Sequence, residues 1–363
     1  MACVRVANLN NFSMKTKNNQ IGKTISELKS IDCLSWSEIY SQFPYRPTHS
    51  LRRAEAEFRQ RNGISLIGPI VEVESEVNQW DSEDTNEVWI RAVELSQRSM
   101  PKKDWHNRMR SSVIRFSGGP VCIVQMADLH LGSAGTDYGR IDTELETIIE
   151  TEGVYLGLIG DIADNMIVGK LKAIRAINAE FTMNQEWAMV EYFLNRAGNK
   201  LLYSIAGNHD LWSTTVGIDR LGELHKTVNP GCIYEKYDRG IRICVGGEHE
   251  VILRARHKWK GVSQWNDTHA IEKASKMDKG RAFDIGVGGH THVSGLAREF
   301  NNGGKTGLAV LCGSYKRSDS YANQIGFPQP NGATAVAVVF EDDGSFWGTS
   351  NLGAAISYMR SVY

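Results

Sequence analysis

Residues 121–132 read VCIVQMADLHLG, a near-continuous apolar run followed by Asp128 and His130 two positions apart. A short apolar run without alternation is the pattern of a strand buried on both faces. The arrangement recurs in VYLGLIGD (154–161) and LLYSIAGNHD (201–210), so three strands are predicted to end in loops carrying Asp, Asn or His. Helical patterns at 139–150, 169–180 and 184–197 separate them, and this alternation is α/β. Upstream, SSVIRF, the turn SGGP and VCIVQM read as two strands joined in a hairpin. Downstream, strands are expected at 241–246, 250–256, 283–288, 307–312, 334–340 and 345–349, with one helix near 268–277. Two packed mixed sheets with helices outside fit this pattern better than one doubly wound sheet.

The chain has 363 residues, 41% hydrophobic and 23% charged, which excludes disordered and fibrous classes. Its formal charge of −1 means that no global field draws it to nucleic acid or an anionic membrane. The start shows no uninterrupted apolar signal, and runs such as ATAVAVVF (333–340) are too short to cross a bilayer. A cytoplasmic protein without membrane contact is expected. Its six cysteines form no CxxC pair and read as reduced structural thiols.

Charge is nevertheless uneven. Residues 1–61 hold 10 basic and 5 acidic side chains, whereas 119–363 hold 24 and 28. Residues 1–22 are Asn/Lys-rich and polar, which predicts a flexible N-terminus. Residues 23–63 contain three short helical patterns. The last, THSLRRAEAEFRQRNG, has Thr48 placed to cap, Leu51, Ala54 and Phe58 on one stripe, and Arg52, Arg53 and Arg59 away from it. This basic module resembles a helix-turn-helix, with nucleic acid or solvent as the alternatives for its arginines. A connecting segment, 64–111, with a helix around 86–98, leads to the domain at 112–363.

Five motifs in that domain sit at predicted strand ends: ADLH (127–130), GD (160–161), GNHD (207–210), RH (256–257) and GHTH (289–292). They bring together Asp128, His130, Asp161, Asn208, His257, His290 and His292, the imidazole, carboxylate and amide set of Mn2+, Fe or Zn2+ sites. Seven such ligands are too many for one metal. Two ions need a bridging group, for which a carboxylate is best suited, and Asp161 is the candidate. Asp128, His130 and His292 would then hold one ion, and Asn208, His257 and His290 the other. The glycines before Asp161, Asn208 and His290 would allow close backbone approach. Asp164 and Asp210 read as groups that orient these loops.

This ordered set, DxH, GDx, GNH(D/E), H and GHxH, resembles the calcineurin-like metallophosphoesterase superfamily over residues 121–363. The resemblance implies a four-layer αββα sandwich and two divalent metal ions, Mn2+ first among the candidates. It also implies in-line attack on phosphorus by a metal-associated hydroxide, with Asp161 and Asn208 in the catalytic centre and His209 assisting the leaving oxygen. GDIADN and GNHD depart from the pattern of the protein Ser/Thr phosphatases. ADLHLG resembles the nuclease subunit of the bacterial SbcCD complex, and the overall layout resembles phosphoesterases encoded by bacteriophages. A DNA or RNA nuclease is therefore the leading expectation. A cyclic-nucleotide or other small-molecule phosphodiesterase is the alternative, and a non-catalytic DNA-binding protein the alternative of another class. Lys258, Lys260 and Asn266 after His257, and Tyr315, Lys316 and Arg317 in GSYKR, are candidates for contact with a nucleic-acid backbone.

Overall fold

The computed structural model describes residues 71–74, 112–247, 249–263, 265–277, 283–317 and 332–363, together with Lys23, Phe58, Glu87, Trp89, Ile90 and Glu94. The last six are helical. Arg52, Arg53, Arg59 and the rest of the expected basic module lie outside the described residues. Chain contacts divide the protein into two compact units, of which Pro69–Met359 carries the sheets.

In chain order the elements are β1 (Val71–Glu74), β2 (Ser112–Phe116), β3 (Val121–Met126), α1 (Tyr138–Glu150), β4 (Val154–Ile159), α2 (Gly169–Asn178), α3 (Met183–Ala197) and β5 (Leu201–Ile205). Then come α4 (Asn208–Leu211), α5 (Arg220–Val228), β6 (Ile233–Glu235), β7 (Arg239–Val245), β8 (Glu250–Ala255) and α6 (His269–Met277). The last elements are β9 (Ile285–Gly288), β10 (Leu296–Asn302), β11 (Lys305–Leu311), β12 (Val336–Phe340), β13 (Phe346–Thr349) and α7 (Leu352–Val362).

Two mixed sheets result, a seven-stranded one ordered β1-β2-β7-β8-β9-β11-β10 and a six-stranded one ordered β13-β12-β3-β4-β5-β6. Their facing sides share one core. Ile114, Ile243, Leu253, Val287 and Val310 of the first pack with Ile123, Tyr155, Tyr203, Val338 and Phe340 of the second. Burying each such aliphatic side chain stabilises the fold by roughly 1.5–3 kcal/mol before conformational entropy is counted. On the outer face of the smaller sheet, α1 buries Ile141, Leu145 and Ile148, spaced one helical turn apart, and packs on β4. On the outer face of the larger sheet, Ile271 of α6 meets Trp259, Phe283 and Ala309. The layers are therefore helix, sheet, sheet, helix, as the resemblance implies.

The expected hairpin of β2 and β3 is not formed. β2 runs parallel to β7 in one sheet and β3 parallel to β4 in the other. The turn between them carries the chain from sheet to sheet, so both strands are almost wholly buried. A turn between two apolar runs has the same sequence signature whether it closes a hairpin or crosses a core. β1, in the polar stretch read as connection, pairs antiparallel with β2 as an edge strand. Among the described residues Cys122, Cys232, Cys244 and Cys312 are free. No helix among them is long and apolar enough to cross a membrane.

α5 contains an acid-sensitive point. His225 is buried, stacks on Tyr234 at 5.1 Å, and has no hydrogen-bond partner on either ring nitrogen among the described residues. Burial lowers its pKa from 6.5 to about 4. Between those values the unfolded chain binds the proton and the folded chain does not. This contribution to stability is complete above about pH 6.5 and is lost as the pH falls to about 4, by roughly 3 kcal/mol. His225→Phe is expected to flatten the pH dependence of the urea midpoint between pH 7 and 4. Parallel pH profiles for the two proteins would contradict this.

Candidate metal centre

β3, β4 and β5 run parallel, and their C-terminal ends deliver Asp128, Asp161 and Asn208 to one edge of the sandwich. β8 and β9, parallel in the facing sheet, deliver His257 and then His290 and His292. Ligand loops at the carboxyl ends of parallel strands are the usual placement in α/β sheets. The loops are strained. Asp128, His130, Asp161, Asn165, His290 and His292 all have φ between 40° and 73°. Non-glycine residues in this left-handed region cost of order 1 kcal/mol or more each, and such strain clusters at functional sites. Five of the six are sequence-selected ligands, and two left-handed residues separated by one turn Asp128 and His130 towards the same centre. Gly160 and Gly207 permit the close packing: a Cβ on Gly160 would lie 2.6 Å from Gly207 N and His257 Nδ1, and one on Gly207 would overlap Asp161.

The donors fall into three groups: Asp128, His130 and His292; Asp161, His257 and His290; and His130, Asp161 and His209. Each carboxylate has one oxygen held by backbone and one facing imidazole. Asp128 Oδ2 accepts from His290 N at 2.8 Å, and its Oδ1 lies 3.2 Å from His292 Nε2. Asp161 Oδ1 accepts from His209 N at 2.8 Å, and its Oδ2 lies 3.2 Å from His257 Nε2 and 3.9 Å from His209 Nε2.

The histidines are oriented from behind. His130 Nδ1 pairs with Asp164 Oδ1 at 3.0 Å, and His257 Nδ1 donates to the Ile159 carbonyl at 2.6 Å. Those bonds place a donor proton on Nδ1 and turn Nε2 inward, where its lone pair is free for a cation once any second proton has left. His130 Nε2 and His292 Nε2 then face each other at 3.2 Å. Asp128 Oδ1, Asn208 Oδ1 and His257 Nε2 are buried without a hydrogen-bond partner among the described residues. Buried lone pairs turned on one another are costly unless a cation lies between them. The donor set therefore fits divalent metal, with mixed nitrogen and oxygen ligands.

Charge in the metal-free chain follows the same geometry. Burial would raise the carboxyls of Asp128 and Asp161, but His292 and His257 beside them hold both below the usual carboxylate range. Burial would lower His257, yet the Asp161 carboxylate raises it to about 10. Burial takes His130 and His290 down to about 4. Protons on His257 and His292 thus offset the buried carboxylates where a cation would otherwise do so.

No protein-family model and no curated protein matches the chain. Solved structures are similar to part of it. Vacuolar protein sorting 29 from Cryptosporidium parvum is 15% identical over 63% of this chain and 96% of its own, with a TM-score of 0.29. The calcineurin-like phosphoesterase YfkN from Bacillus subtilis is 12% identical over 66% and 95%, with a TM-score of 0.32. The Pseudomonas putida nuclease MPE is 14% identical over 62% and 87%, with a TM-score of 0.27.

Around the donors, Asp210 accepts from the backbone of Gly207, Ile162 and Ala163 at 2.8, 3.0 and 3.0 Å, locking the GD and GNHD loops together. His209 Nδ1 is hydrogen-bonded to the Asp164 carbonyl, and its ring lies 3.9 Å from that of Trp212. Lys258 and Lys260 are exposed. Four expected substrate contacts are otherwise engaged. Tyr315 is fully buried with its hydroxyl on Glu144. Lys316 is buried with Nζ 2.9 Å from Asp164 Oδ1. Asn266 accepts from Thr268 N and Oγ1 just before α6. Arg317 is half-buried with Nε 3.3 Å from Asp137 Oδ2. Lys316, a candidate for contact with a nucleic-acid backbone, is instead turned inward, a placement unusual for lysine, and Trp212 offered no signal beyond its place after GNHD.

Proposed function

We propose that this chain is a phosphodiester hydrolase of the calcineurin-like metallophosphoesterase type, dependent on two divalent ions and acting on nucleic acid. The observation that carries this reading is the pair of three-residue donor groups at one sandwich edge, with Asp161 grouped both with His257 and His290 and with His130 and His209. Asp128, His130 and His292 would hold one ion and Asn208, His257 and His290 the other, with Asp161 between them. Such ions, when bound, supply Lewis-acid stabilisation of charge on the phosphoryl oxygens. The protein's own contribution is orientation: backbone bonds fix Asp128 and Asp161, and Asp164 turns His130 and His209 inward. His209 presents Nε2 beside this centre, where it can deliver a proton to a leaving oxygen. Exposed Lys258 and Lys260 directly follow His257 and suit an anionic polymer better than a small cyclic diester.

The test uses the full-length protein stripped of metal and then supplied with Mn2+, against single-stranded and duplex DNA, RNA, bis-p-nitrophenyl phosphate and cyclic nucleotides. Hydrolysis of the polynucleotides is expected with Mn2+ and none after chelation. Turnover that persists after verified metal removal would refute the reading. Cleavage of cyclic nucleotides alone would replace the polymer substrate with a small diester.

A further inference from the structure

The segment after β11 closes the back of the donor cluster, and its lysine is turned inward. Lys316 is 6% exposed, and its Nζ shares Asp164 Oδ1 with His130 Nδ1, at 2.9 and 3.0 Å. The carbonyl of the same Asp164 is hydrogen-bonded to His209 Nδ1. One aspartate therefore contacts both histidines from behind, and a buried ammonium holds that aspartate.

Fold stability alone gives little reason for this lysine. A buried ion pair seldom stabilises more than an apolar pair of the same volume, because both charges lose their hydration. The segment is also held without the ammonium. Thr136 and Lys316 form a β-bridge, Asp137 N donates to Tyr315 O at 2.9 Å, Arg317 N donates to Gly135 O at 2.8 Å, and Lys316 N donates to Ser314 Oγ at 3.1 Å. What the ammonium adds is direction. It has donors only, so Asp164 Oδ1 must accept from it, and the remaining partner, His130 Nδ1, must also be a donor.

We infer that Lys316 is a positioning residue: by fixing Asp164 it aims Nε2 of His130, and through the Asp164 backbone that of His209, into the donor cluster. The inference rests on reading that cluster as a metal centre.

The experiment compares wild type, Lys316→Met, Lys316→Arg, Asp164→Asn and the double variant Asp164→Asn/Lys316→Met as full-length chains. Mn2+ binding to the metal-free proteins is measured by calorimetry, and the His130 ring nitrogens by 15N NMR. In wild type the His130 proton is expected on Nδ1. Lys316→Met is expected to weaken one of two Mn2+ ions by about 10–100-fold, the effect of removing a group that orients a ligand, and to leave the other unchanged. Lys316→Arg should restore part of the loss. In the Asp164→Asn background, where the amide oxygen still accepts from His130, Lys316→Met should have no further effect. Wild-type affinity for both ions in Lys316→Met, or an equal loss with and without Asp164, would overturn the inference. If Lys316→Met does not fold, the comparison in the Asp164→Asn background and the arginine variant decide. A wild-type chain that takes up no divalent ion sinks the metal reading. The His130 ring spectra then still report whether Lys316 orients it.

Discussion

Asp161→Asn is expected to lower phosphodiester turnover by roughly a thousandfold or more, at the upper end of what removing one charge-stabilising group does. The substitution changes little in shape. An amide oxygen can still accept from His209 N, the bond that Asp161 Oδ1 makes at 2.8 Å. What is lost is the charge, and with it the second oxygen donor, Oδ2, which lies 3.2 Å from His257 Nε2 and 3.9 Å from His209 Nε2. An amide nitrogen at that position is a donor and repels a cation. Wild type should melt at a higher temperature with Mn2+ than without, because a ligand that binds only the folded state stabilises it. In Asp161→Asn that increment should shrink while the metal-free melting temperature stays close to wild type. Two ions retained at wild-type affinity, with turnover lost, would remove Asp161 from the bridging role. Retained turnover would remove it from the centre.

The expected geometry of this centre was unevenly legible in the sequence. The donors were visible because each follows a short apolar run, and a strand buried on both faces can only end in a loop at the sheet edge. What no pattern carried was which sheet each strand joins. SSVIRF and VCIVQM look like the two arms of a hairpin, yet β2 and β3 lie in opposite sheets because each has a parallel partner elsewhere. The short strand β6 and helix α5 were not anticipated; Ile233–Glu235 is only three residues long and offers no periodicity. His257 lacks a local signature, and its place beside Asp161, away from His225 in α5, depends on β8 running parallel to β9. The left-handed backbone at Asp128, His130, Asp161, His290 and His292 was equally invisible, since it is imposed by the loops' tertiary bonds and not by glycine. Lys316 shows the same limit in charge: its burial follows from Asp164, 152 positions earlier in the chain.

His209→Ala is expected to lower kcat on polynucleotide by about a hundredfold or more, the lower range for loss of a general acid. The ring stands where two roles meet. It is grouped with His130 and Asp161 among the possible metal donors, yet Asp128, His130 and His292 and Asp161, His257 and His290 already form two three-residue groups without it. Its Nδ1 is engaged by the Asp164 carbonyl, Trp212 lies along it at 3.9 Å, and His130 meets it edge-on at 4.6 Å, so only Nε2 is turned to the centre. A ring held this way can pass a proton from Nε2 without changing its tautomeric partner. If it does so to the leaving oxygen, the loss must depend on the leaving group: large for a nucleoside alkoxide, small for p-nitrophenolate, which departs without protonation. Both ions should remain bound in the variant at near wild-type affinity. Equal losses for good and poor leaving groups would exclude proton delivery, and loss of one ion on substitution would make His209 a ligand instead.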